Sequence, residues 1–188
     1  FIIDTSIYLY KFLGDGGLLE NMYLFINKMK HYNIEPVFIF DGKPPAEKRE
    51  LLQKRRIEKK EAENKYELIK AQIYDASFQN VFIENKKELL EEMEELKGQF
   101  IKIKDDDIRK VKSLLNAFGV QYVVSKGEAD NMCAYLTSNE INYCVSDDMD
   151  MFIYGSKYIV RNINLQNDSM VLYNTENILK ELELNQEE

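Results

Sequence analysis

The chain has 188 residues, 45% hydrophobic and 12% aromatic, enough to bury one sizeable core and too much for a disordered or fibrous segment. No apolar run reaches the roughly 18 residues of a membrane span and no signal-peptide pattern opens the chain, so it reads as intracellular and membrane-free. Only two cysteines, Cys133 and Cys144, and a formal charge of -8 argue against a disulfide framework, a zinc ribbon and a uniformly phosphate-binding surface.

The first apolar run, "FII" at 1–3, predicts a buried strand that leads directly into Asp4. Tyr8, Tyr10 and Phe12 alternate along a short helix that follows. "LLENMYLFINKMKHY" predicts an amphipathic helix with Leu19, Met22, Tyr23, Ile26 and Met29 on one stripe. His31, the single histidine, is placed at its end or on the surface. "PVFIF" at 36–40 predicts a second strand, followed at once by Asp41.

Residues 44–104 break this rhythm with a long, charged, helix-favouring insertion, too long for an ordinary crossover. Its part from 72 to 98 shows little sustained apolar periodicity and is expected to be loosely packed. At its start, residues 43–60 carry eight basic side chains against three acidic ones, a locally basic face within an acidic chain. Lys48 and Arg55 are seven apart there, the spacing of one helix face.

"DDD" at 105–107 precedes a helical pattern with Ile108, Val111, Leu115 and Phe118 on one stripe and Gly119 at its end. Acids in that position cap a helix and complement its dipole. "VQYVV" at 120–124 predicts a third strand, with Glu128 and Asp130 close behind. Residues two apart diverge on a helix, so these share a site only if Glu128 lies in the loop or first turn, where Gly127 permits an unusual backbone. Met132, Tyr135 and Leu136 then follow a helical core spacing. "NYCVS" at 142–146 predicts a fourth strand; Asp148 and Asp150 beyond it share a face only if the chain is extended there. "KYIVRN" and "SMVLYN" form either an edge hairpin or two further strands, before a short helix over "TENILKELEL".

Strand and helix alternate, which predicts an α/β fold: a mainly parallel twisted sheet with helices on both faces. Ligands of such sheets bind outside the carboxyl ends of the strands, where six carboxylates from four places in the sequence can converge. Singly, Asp4 and Asp41 read as helix caps, the acids at 148 and 150 as a solvated turn, and Lys48 and Arg55 as a solvated helix face. Together, crowded anions call for compensation, and hard divalent cations such as Mg²⁺ are bound by oxygen ligands of this type. No Ser/His or Cys/His arrangement offers nucleophilic catalysis. Carboxylates beside a basic helix point instead to two-metal phosphodiester hydrolysis, with cations about 4 Å apart and Lys48 and Arg55 on the scissile phosphate.

"IIDTS", "VFIFDGKPPAEK", "GEADNMCAYL" and "SDDMDMFIYGS", in this order and placing, resemble the flap endonuclease and XPG-type family of structure-specific 5′ nucleases. The resemblance implies a PIN-like 5′-nuclease fold with residues 44–104 as a helical arch through which a 5′ single strand passes. It implies metal ligation by Asp4, Asp41, Glu128, Asp130, Asp148 and Asp150, with Asp147 outside the set, and two Mg²⁺ ions for which Mn²⁺ can substitute. Lys48 and Arg55 match basic residues that rise from the arch towards the scissile phosphate. Tyr10 matches an aromatic that stacks on the base beside the cut, although a packing role for it stays equally open. Many family members carry Glu where this chain has Asp130.

The same resemblance implies one nuclease catalytic domain over 1–188, truncated at both ends, acting on 5′-flap or other branched DNA in replication and repair. A sliding-clamp partner would bind beyond Glu188, and a eukaryotic member would be nuclear. A junction- or bubble-cutting relative, a non-catalytic nucleic-acid-binding module and a metal-stabilised interaction domain are the rival expectations.

Overall fold

The computed structural model describes residues 1–78, 85–138 and 142–184. They fall into two compact units, Phe1–Pro45 with Ile103–Glu188, and Ala46–Lys102.

The first unit is built on β1 (Ile2–Asp4), β2 (Val37–Phe40), β3 (Gln121–Val124), β4 (Cys144–Val145), β5 (Tyr158–Asn164) and β6 (Ser169–Asn174), in the spatial order β3-β2-β1-β4-β5-β6. The pairings β1 with β2, β2 with β3, β1 with β4 and β4 with β5 are parallel, and β5 with β6 is antiparallel. The last two runs therefore form the edge hairpin, not separate strands. The four strands that precede the acids all point the same way, so their carboxyl ends share one edge of the sheet.

Side-chain alternation splits each strand between two cores. On one face Ile3, Phe38, Val145 and Val160 pack with residues of α1 (Thr5–Gly14), α2 (Leu18–His31) and α5 (Asp105–Ala117), among them Tyr8, Phe25 and Leu115. On the other, Ile2, Ile39, Cys144 and Ile159 pack with Ala129 and Cys133 of α6 (Ala129–Thr137) and Met151 of α7 (Asp150–Ile153). A last helix, α8 (Thr175–Leu182), follows the hairpin. Both sheet faces are covered, as the alternation of elements predicts. No helix among the described residues is long and apolar enough to cross a membrane.

Two core assignments differ from the pattern. Tyr23 is 50% exposed and meets Phe118 edge-on, and Phe25 takes its place in the buried stripe. Tyr135 is 72% exposed, because α6 lies close on the strands and buries its small residues Ala129, Cys133, Ala134 and Thr137, leaving Met132 and Leu136 on the flank.

The described residues of the second unit form a 3-10 turn (Ala46–Lys48), α3 (Arg49–Phe78) and α4 (Lys86–Gln99). The expectation of loose packing over 72–98 is corrected for 72–75 and 85–98; the side chains of 76–84 lie outside the described residues. Ala62, Ile69 and Leu96 are buried, with Tyr66, Ile73, Leu89, Met93 and Phe100 packed against them. These positions recur at alternating steps of four and three, the spacing by which paired helices interlock. Lys65 pairs with Glu92 at 2.5 Å, while Lys102 reaches Glu63 at 2.5 Å and Lys59 the carbonyl of Ile101 at 3.0 Å, so the two helices run antiparallel.

Candidate metal and phosphodiester site

Asp4 ends β1, is only 4% exposed, and also begins α1, its Oδ1 accepting the amide of Ser6 at 3.1 Å. Capping and a place in the site are thus the same geometry. Its Oδ2 lies 3.4 Å from the Ser146 hydroxyl that donates to it. Ser146 is buried just after β4, and its Oγ also accepts the amide of Asp148 at 3.2 Å. Asp148 Oδ1 in turn accepts the amide of Asp150 at 3.0 Å. The chain therefore turns into α7 between these two acids and is not extended, and Asp150 stands exposed at the helix start.

Asp41 follows β2 and closes a second link. Its Oδ1 accepts the amide of Ala129 at 2.7 Å and its Oδ2 the hydroxyl of Ser6 at 2.5 Å, so it caps α6 and braces α1 together. What brings it there is Gly42. A Cβ at that position would fall 2.0 Å from the Ser125 carbonyl oxygen, and the Gly42 amide donates to Gly127 O at 2.7 Å. Only glycine allows so close an approach of two backbones. Glu128 sits at the α6 start with an extended backbone, and Asp130 lies in the first turn. The expected special conformation of Gly127 is absent; it is not left-handed, and the close approach at Gly42 performs that task.

Electrostatics tie the acids together. Asp4 is pushed up to about 7, first by burial and then by Asp130 and Asp41, against the hydrogen bonds from Ser6 and Ser146. Asp130 is pushed up to about 6, first by burial and then by Asp148, Asp41 and Glu128, with a hydrogen bond to Asp4 acting the other way. Asp4, Asp41, Glu128, Asp130 and Asp148 thus occupy one field with Asp130 at its hub, and Asp150 is not among the leading causes of these shifts.

Among the described residues no group of three or more His, Cys, Asp or Glu side chains is gathered closely enough to hold a metal ion as it stands. The reason is visible in the hydrogen bonds, since Asp41 and Asp148 direct oxygens at backbone amides. The donor chemistry nevertheless fits a hard cation: the donors are carboxylate oxygens, and positive charge among them would offset the burial and repulsion that raise Asp4 and Asp130.

The remaining candidates divide. Asp147 is structural: its Oδ1 accepts the amide of Asn162 at 2.7 Å and its carbonyl the guanidinium of Arg161 at 2.6 Å, holding an irregularity where Asn162 has φ 54°. In the acidic triplet, Asp107 accepts the amide of Lys104 at 2.9 Å, and Lys110 and then Arg109 hold Asp106 below the usual carboxylate range. Tyr10 is 43% exposed between the buried Tyr8 and Phe12. Lys48 lies in the 3-10 turn before α3 begins, so it does not share a regular helix with the exposed Arg55, and both belong to the second unit. His31 is exposed at the end of α2. Cys133 and Cys144 are both buried, and the thiol of Cys133 is raised by its hydrogen bond with Cys144 and by burial.

Ser6, Ser146 and Gly42 are the residues that pattern reading passes over. The available signal was a hydroxyl within two residues of an acid, as in "DTS" and "VSDD", a spacing at which short polar side chains bond nearby backbone.

The catalytic core of Rad2 solved with a DNA substrate superposes with a TM-score of 0.66 at 25% identity, covering 99% of this chain and 50% of that one. Human GEN1 bound to Holliday junction DNA gives 0.58 at 20% identity, over 98% of this chain and 40% of its own. The fold is that of the 5′ nucleases. Residues 1–62 match the XPG N-terminal domain and residues 119–188 the XPG I-region, and a protein of Methanococcus aeolicus named Flap endonuclease 1 is 30% identical over 171 residues, 90% of this chain. The chain belongs to the flap endonuclease/XPG-type family. It spans 46% of the Methanococcus protein, 34% of the Theileria annulata relative and 50% of the Vanderwaltozyma polyspora one.

Proposed function

We propose that this protein is a structure-specific 5′ nuclease that hydrolyses DNA phosphodiesters at 5′ flaps or related branches, in replication or repair. The observation that carries the reading is the field of five carboxylates delivered by four parallel strand ends to one edge of the sheet. Family membership supports it, as do the Flap endonuclease 1 relative and the DNA-bound Rad2 core.

In this reading Asp4, Asp41, Glu128, Asp130 and Asp148, with Asp150 at their margin, hold two divalent cations, Mg²⁺ or Mn²⁺ in its place. Cations bound by such a site supply the charge that activates water and stabilises the attacking and leaving oxygens of an in-line displacement. The protein's own part is to keep the carboxylates aimed. Ser6 fixes Asp41, and Ser146 fixes Asp4 and the backbone of Asp148. Lys48 and Arg55 hold the scissile phosphate, and Tyr10 offers a ring to the neighbouring base.

The test is product mapping on a 5′-labelled flap duplex with Mg²⁺ or chelator, beside bubble and four-way-junction substrates. Asp148→Ala is expected to lower metal-dependent cleavage by about a thousandfold or more, with the circular dichroism of the fold retained. Unchanged cleavage by that variant sinks the assignment.

A further inference from the structure

Beside the carboxylate edge, the first unit opens a cleft of about 520 Å³ lined by Tyr10, Phe40, Asp41, Ile108, Arg109 and Lys112 among others. Arg109 and Lys112 are three apart on α5 and so project from one face of it. Their partners differ. Arg109 meets Asp106 at 3.0 Å, whereas the ammonium of Lys112 sits 4.7 Å from the ring centre of Phe40 and 5.6 Å from that of Tyr122. Among the described residues no carboxylate lies within ion-pair distance of Lys112.

An ammonium held over aromatic faces is fixed in position without being neutralised. Its charge stays available to an anion entering the cleft. Asp105 also lines the cleft, and Asp41 borders it, but both oxygens of Asp41 already accept hydrogen bonds, from Ala129 and Ser6. The fixed ammonium of Lys112 and the exposed guanidinium of Arg109 on one wall, with an exposed tyrosine on another, make a receptor for a ligand with both phosphate and a flat ring. A nucleic-acid strand has both, and one running through the cleft passes directly onto the carboxylate edge at Asp41.

We propose that Lys112 and Arg109 bind the phosphodiester adjoining the one at the carboxylate edge, so that α5 guides the single strand of the substrate. This rests on the reading of that edge as a nuclease site, and it adds two substrate-binding residues outside the charged insertion. Lys112→Met keeps the aliphatic stem over Phe40 and removes the charge; Arg109→Gln removes the other, exposed, cation.

Two measurements separate this proposal from the function it rests on. The first is anisotropy of a labelled oligothymidylate with the protein in chelator, titrated with salt. The double variant is expected to bind about tenfold more weakly, the value of one modest charge-assisted hydrogen bond. Its slope of log affinity against log salt should shrink by about 0.7 for each phosphate that is no longer neutralised. The second is steady-state cleavage of the flap duplex, where KM should rise with kcat held and Lys112→Arg should restore it. If no substrate is cut by the unaltered protein while the oligothymidylate slope still changes, the nuclease reading falls and the strand-binding cleft stands. If flap duplex is cut and both variants, folded by their melting temperatures, keep the parent KM and salt slope, the cleft is not a substrate subsite.

Discussion

The two units organise charge in opposite ways. In the sheet unit, charge is gathered: acidic side chains distant in sequence are brought to one edge by backbone register, and burial raises Asp4 and Asp130. In the helical unit it is dispersed along two exposed helices, and a thin seam of Ala62, Ile69 and Leu96 with flanking apolar residues holds them. The sheet unit buries two extended cores around its strands, the helical unit one narrow one. Interactions that depend on a large shared core fail together, whereas those along a seam fail locally.

The largest effect that would break this contrast belongs to the sheet. Phe38 is fully buried and meets Phe25 edge-on at 6.0 Å, so Phe38→Ala should destabilise the whole sheet unit by about 3 to 5 kcal/mol in chemical denaturation. Leu96→Ala should remove about 2 to 4 kcal/mol, but only from the helical unit. Hydrogen exchange is expected to speed in α3 and α4 and to stay unchanged in β1, β2 and β4. Equal acceleration in the strands would mean that the seam and the sheet form a single cooperative core.

The smallest effect sharpens the account of the gathered charge. Asp4 and Asp130 are protonated more readily in the folded chain than in the unfolded one, so between about pH 4 and pH 7 the native state binds the extra protons. Their destabilising effect is absent below the unfolded value and complete above the folded one. In chelator the melting temperature should therefore fall as pH rises across that window, by less in Asp4→Asn, and Mg²⁺ should recover part of the loss near pH 7. A parent and an Asp4→Asn variant with parallel profiles would remove Asp4 as the source.

The first four strands were legible because each is a short apolar run with an acid at or soon after its end, and their parallel direction follows from the helices between them. The acids were legible as candidates for the same reason. Their supports were not: Ser6 acts on Asp41 across 35 residues and Ser146 on Asp4 across 142, pairings that no local pattern encodes. Tyr23 and Tyr135 misled because a 3.6-residue period marks a stripe without saying how near the sheet lies. The seam of α3 and α4 escaped notice because its apolar residues are spaced regularly but sparsely among charges, which dilutes any average over a window.

That sparse seam leaves one dimension of the molecule free to vary. Because α3 and α4 meet by a repeat of four and three, adding or removing seven residues from each at matching positions keeps the same side chains facing one another. The strands, their acids and the serines that aim them lie outside the stretch that changes. The reach of this helix pair can thus lengthen or shorten, about 10 Å for each such step, while the arrangement at the sheet edge is inherited intact.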